Sequence, residues 1–164
     1  MVGVYCQNQA IRMDDYQLYR QQLTCQYRNY INIKSLNLAA NYIDSLFKQY
    51  SEKTEIQTFA VEGFEYKNII CSFGPDSGER IIIGAHYDVC LDQPGADDNA
   101  SGVAAVLECA RVLADLDLEF DLVFVLFSGE EQIVKGSDYY VDNLVETDGP
   151  LLGVINMDMI AYNP

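Results

Sequence analysis

The sequence predicts an α/β fold in three layers, with helices covering both faces of a mixed, mostly parallel sheet. Three observations lead there. Residues 81–85, 122–127 and 151–157 are apolar at successive positions, as strands buried on both faces are. Helical patterns fall between them, at 100–114 with Val103, Val106, Leu107, Ala110 and Leu113 on one side, and around 137–144. Two further β-rich runs lie upstream as a hairpin, which brings antiparallel strands to the sheet. The alternation of strand and helix from residue 81 onward requires crossovers, and these are right-handed.

In chain order, residues 14–30 place Tyr16, Leu23, Tyr27 and Tyr30 at roughly helical spacing and predict an N-terminal helix packed on the domain. A second helix starts at Ser35, a suitable N-cap, and aligns Leu36, Ala39, Ala40, Ile43, Leu46, Phe47 and Tyr50 on one face. Residues 56–61 and 68–73 form the hairpin around Glu62 and Gly63, and the Gly74-Pro75-Asp76-Ser77-Gly78 turn closes it. The whole chain, residues 1–164, reads as a single domain with a helical segment over about 1–50, and no repeat or linker divides it.

Twenty-five acidic residues against ten basic ones give a net charge of −15. Such a field repels a phosphate backbone and an anionic membrane surface, so nucleic acid and membrane are excluded as partners. No apolar run approaches the roughly 18 residues of a membrane span. Residues 1–6 are too short and lack the basic start of a signal peptide, so the chain reads as soluble with its compartment open. The five cysteines, Cys6, Cys25, Cys71, Cys90 and Cys109, are odd in number and form no Cys-x-x-Cys pair. They read as buried free thiols rather than a disulfide framework.

In open α/β sheets the binding crevice lies beyond the carboxyl ends of the strands. All three ends are acidic here. His86, Tyr87 and Asp88 follow the first two-sided strand, and a loop with Asp97 and Asp98 leads into the helix. Glu130 and Glu131 follow the second strand, and Asp158 follows the third. One imidazole and six carboxylates therefore share a crevice, and crowded carboxylates are stabilised by protonation or by a cation. A divalent metal is the simpler solution. An imidazole among carboxylates suits zinc, whereas magnesium would not need the histidine, and a carboxylate shared between two ions is the usual two-metal hydrolase arrangement. Asp97 stays outside the proposed site, as either a cap for the helix at Ala100 or a solvated acid, and Asp92 reads as solvated.

Gly84-Ala85-His86-Tyr87-Asp88, Gly95-Ala96-Asp97-Asp98-Asn99-Ala100-Ser101-Gly102, Gly129-Glu130-Glu131 and Asn156-Met157-Asp158-Met159, in this order, resemble the co-catalytic zinc exopeptidases. These include leucyl aminopeptidases, glutamate carboxypeptidases and glutaminyl cyclases. The resemblance runs from about Asn68 to the C-terminus and implies the phosphorylase/hydrolase-like fold of zinc peptidases. It implies that His86 and Asp158 ligate one zinc, that Glu131 ligates a second, and that Asp98 bridges the two. It makes Glu130 the general base and Asp88 the partner of the second imidazole nitrogen, and it marks Asp98–Asn99 as a candidate cis peptide bond.

The chain departs from that pattern in one respect. His86 is its only histidine, whereas the family completes the Glu131 zinc with a second one from a later loop. The expectation is therefore a partial catalytic domain lacking its C-terminal part, weakly active alone. Its last strand would lack neighbours, so association through the open sheet edge is expected. The leading function is an aminopeptidase acting on peptides, because an acidic crevice attracts a free α-amino group. A glutaminyl cyclase is the alternative, and a non-catalytic zinc-binding fragment is a third reading.

Overall fold

The computed structural model describes residues 13–24, 27–144 and 149–161. Two helices, α1 (Met13–Thr24) and α2 (Ile33–Tyr50), precede the hairpin strands β1 (Thr54–Val61) and β2 (Phe64–Phe73). Then come β3 (Arg80–His86), α3 (Ala100–Leu113), β4 (Asp121–Phe127), a single 3-10 turn at Glu130–Gln132, α4 (Lys135–Asp142) and β5 (Leu151–Asn156).

The five strands form one sheet in the order β1-β2-β4-β3-β5. β3 pairs parallel with β4 and with β5, while β2 is antiparallel to both β1 and β4. Four strands thus run one way and β2 alone runs the other. Side chains alternate across the sheet. Ile83, Ala85, Phe124 and Leu126 pack with Ile69 and Cys71 under α2 and α3, in the main core. Ile82 and Val125 face the opposite side, where Tyr140 of α4 covers them in a smaller core. Shortening a fully buried ring such as Phe124 to alanine costs about 3–5 kcal/mol.

From β3 the chain steps through α3 to β4, then back across β3 through α4 to β5. The direction of travel reverses, and the two helices lie on opposite faces. That reversal opens a crevice at the carboxyl end of β3, where ligands of open α/β sheets bind. His86 ends that strand.

Local boundaries differ from the sequence expectation where polar side chains decide them. The first helix ends at Thr24, short of 30. Tyr19 and Leu23 are buried, whereas Tyr27 and Tyr30 are exposed on a turn in which the Asn32 amide donates to Asn29 O and Oδ1. The side chain of Tyr16 lies outside the described residues, as do Cys6 and Cys25. α2 is capped by Asn32, not by Ser35. Asn32 Oδ1 accepts the Ser35 amide, which adds a turn before the predicted start. Cys71 is buried, but Cys90 is exposed, against the expectation of a buried thiol.

β5 is the edge. Leu151, Leu152, Val154 and Ile155 are all at least half exposed, so among the described residues little covers the faces or the outer edge of this strand. The apolar run predicts a strand buried on both faces, whereas its side chains are exposed among the described residues.

Candidate metal centre

His86 is held by the strand that ends in it. Tyr87 N donates to Phe127 O (2.8 Å), extending the β3–β4 ladder by one residue, while the Tyr87 ring turns into the main core and its hydroxyl donates to Lys67 O. The neighbouring side chains, His86 and Asp88, are only 5% and 3% exposed.

The loop to α3 delivers Asp98 through a cis Asp98–Asn99 peptide, as expected. Asn99, rather than Asp97, caps α3, because its Oδ1 accepts the Gly102 amide (3.0 Å). Its Nδ2 donates to Met157 O (2.8 Å), which pulls the end of β5 onto the helix. Gly102 permits that approach, since a Cβ there would lie 2.6 Å from Met157 O. Ser101 Oγ accepts the Ile160 amide, and Asp97 Oδ1 accepts the Ala161 amide (2.9 Å). Asp97 is therefore neither a cap nor a free surface acid. These three side chains fasten the segment bearing Asp158 to the segment bearing Asp98. Sequence reasoning missed that lacing, and the polar Asp97-x-Asn99-x-Ser101 alternation was the only signal for it.

Beyond β4, the Ser128 amide donates to Asn68 Oδ1 and the chain turns at Gly129. The Glu130 and Glu131 amides then donate to Asp88 Oδ1 (3.2 Å) and Oδ2 (3.1 Å). Asp88 lies 3.5 Å from His86 Nδ1, longer than a hydrogen bond, and that nitrogen is buried without a closer partner. The resemblance implied that Asp88 bonds the imidazole. In the structure its two oxygens are directed at the turn instead, so Asp88 positions Glu130 and Glu131 and offers His86 a negative charge.

His86 Nε2 stands 3.1 Å from Asp98 Oδ1 and 3.7 Å from Asp158 Oδ1, and one ligand atom from each of the three lies within 4.8 Å of the others. Donors at zinc-ligand distance in a tetrahedral site are about 3.3 Å apart, so the separations from the imidazole bracket what a metal requires. Both carboxylates are about half exposed and the imidazole is buried, which puts the three at the floor of an open mouth. The donor set fits a zinc ion. Glu131 stands outside that trio and lines a cavity of about 320 Å³ with Asp97 and Asp98. Glu130 opens on the other side, into an apolar cavity of about 300 Å³ shared with His86 and Asp158. Asp98 is thus common to the trio and to the cavity that Glu131 lines.

Charge crowding shows in the titration of these groups. Burial works against a charged His86 imidazole, but Asp88, Glu130 and Asp98 outweigh it and push the pKa up to about 9. Glu130 is raised by burial, opposed by His86 and reinforced by Asp88, Asp158 and Asp98. Glu131 is raised by burial and by Asp98, Asp88 and Glu130. A cation at this position would relieve every one of these repulsions.

Residues 68–164 match peptidase family M28. Aminopeptidase YwaD of Bacillus subtilis is 40% identical over 82 residues, covering 49% of this chain and 18% of its own length. YfbL of Escherichia coli K12, named as an uncharacterised protein, is 38% identical over 141 residues, covering 80% of this chain and 44% of its own. A leucine aminopeptidase precursor from Bacteroides thetaiotaomicron superposes with a TM-score of 0.77 at 25% identity, over 92% of this chain and 63% of that one. Porphyromonas gingivalis glutaminyl cyclase superposes with a TM-score of 0.81 at 22% identity, over 94% and 61%, a likeness of fold alone. The chain thus spans less than half the length of these curated relatives and under two thirds of the solved structures.

Proposed function

The chain belongs to peptidase family M28, and from that premise we propose that it carries the zinc site and general base of an aminopeptidase, hydrolysing the N-terminal peptide bond of peptides. The observation that carries this reading is the convergence of His86, Asp98 and Asp158 beside Glu130. Those three residues hold one zinc. Asp98 and Glu131 contribute to a second, whose further ligand cannot be another histidine of this chain. Zinc held there would supply Lewis acidity to the scissile carbonyl and to the attacking water.

Glu130 takes a proton from that water as the new C–O bond forms and returns it to the amine nitrogen as the C–N bond breaks. A raised carboxylate pKa suits a group that must both accept and release a proton near neutrality. Asp88 acts through the backbone, holding the peptide groups of Glu130 and Glu131 by two hydrogen bonds, and touches no substrate. The overall negative field of the chain attracts the free α-amino group of a peptide terminus, which favours exopeptidase over endopeptidase action. The aminopeptidase among the relatives supports the same choice.

Glutaminyl cyclase is the second reading, favoured by a Bacteroides thetaiotaomicron glutaminyl cyclase that superposes with a TM-score of 0.77 at 25% identity. An N-terminal glutamine peptide separates the two: ammonia release and a blocked terminus mark the cyclase, whereas a free amino acid marks the peptidase. The test of the base is Glu130→Gln in the zinc-loaded protein. Zinc affinity should hold within about twofold while N-terminal hydrolysis falls by roughly 10²–10⁴-fold. An unchanged rate would remove Glu130 from the chemistry, and zinc binding without any turnover in the parent would favour a non-catalytic zinc-binding fragment.

A further inference from the structure

Arg28 lies outside the family match, between α1 and α2, and is 0% exposed. A guanidinium so placed would ordinarily be paired with a carboxylate. Here its hydrogen bonds among the described residues all go to main-chain carbonyls. Nε donates to Tyr87 O (2.6 Å), Nη1 to Leu23 O (2.7 Å) and Pro94 O (3.2 Å), and Nη2 to Gly95 O (2.9 Å). The Arg28 carbonyl in turn accepts the Val89 amide at 3.1 Å.

These acceptors are not scattered. Tyr87 stands between His86 and Asp88, and Pro94 and Gly95 open the loop that carries Asp98. One rigid fork therefore spans the two segments that present the imidazole and the first carboxylate. Gly95 adopts φ +62°, and a Cβ there would overlap Val89 Cγ1 and fall 2.6 Å from Asp98 O and 2.8 Å from Nη2, so the loop packs closely on the guanidinium and its neighbours. The fork also places a fixed positive charge behind Asp88 and Asp98, both of which act on it electrostatically. Lysine could supply the charge but not the planar array of donors.

We propose that Arg28 is a positioning residue of the metal centre, setting the separation of His86 and Asp98 by bridging the backbones of Tyr87 and Gly95, and thereby setting the affinity for zinc. The inference rests on the zinc reading above and adds to it a contribution from the N-terminal segment. Outer partners of metal ligands typically govern affinity by about 10–100-fold.

The experiment is zinc titration against a competing chelator for the parent chain, R28K, R28Q and a distant core control, Ile43→Val in α2. The expected result is roughly 10–100-fold weaker zinc binding by R28K and R28Q, with parent-like affinity in the control despite its lowered melting temperature. Folded Arg28 variants that bind zinc like the parent would overturn the proposal. The parent offers a second readout that needs no variant: the Arg28 Nε–H resonance of ¹⁵N-labelled protein should shift and exchange more slowly on adding zinc, and a resonance indifferent to zinc would also overturn it. A parent that binds no zinc would remove the metal reading and this proposal together, whereas tight zinc binding unaffected at position 28 would remove only the role of Arg28.

Discussion

His86 is the chain's only histidine, so its imidazole can be followed by NMR without overlap. In chelator-treated protein it should titrate near 9 rather than near 6.5. The folded pKa is raised, so the charged imidazole stabilises the fold fully below about pH 6.5, and that contribution fades as pH rises through about 9. Zinc requires the neutral ring, so its binding should expel a proton at neutral pH and tighten as pH rises toward 9. A midpoint near 6.5 would mean that the carboxylates do not face the ring. At this scale the convergence of His86, Asp98 and Asp158 was legible in the sequence, because they stand at or beyond strand ends, where a crevice is topologically fixed. The lacing by Asn99, Ser101 and Asp97 was not, and neither was the burial of Arg28. Their partners are backbone groups about 60 residues away along the chain, and side chains that bond to distant main chain leave no periodicity to read.

Among the elements, β5 carries the clearest physical liability. Among the described residues its outer backbone edge has no pairing strand, and Leu152, Val154 and Ile155 are exposed. Open apolar edges recruit further strands, so self-association is expected at high concentration. Light scattering should show species beyond the monomer, and Val154→Lys should shift them toward the monomer. A parent monomeric at all concentrations would contradict this. The strands and the long helices were readable because their apolar periods are unambiguous, from Ile81–Ile83 in β3 to Leu36–Phe47 in α2. Their ends were less so. Asn32 and Ser35 are equally good caps by type, and only the local turn from Asn29 selects the former. The exposure of β5 could not be read from its own residues.

For the molecule as a whole, the topological reversal at β3 and the net charge of −15 act together. The reversal gathers acids from three strand ends, and the acidity makes the mouth attractive to cations. The measurement that bears most directly on this account is the zinc content of the purified chain after dialysis against trace zinc, beside Asp98→Asn. About one zinc per chain, lost in Asp98→Asn while the fold is retained, is the expected result. Zinc retained equally by Asp98→Asn, or none in the folded parent, would contradict a centre built on His86, Asp98 and Asp158.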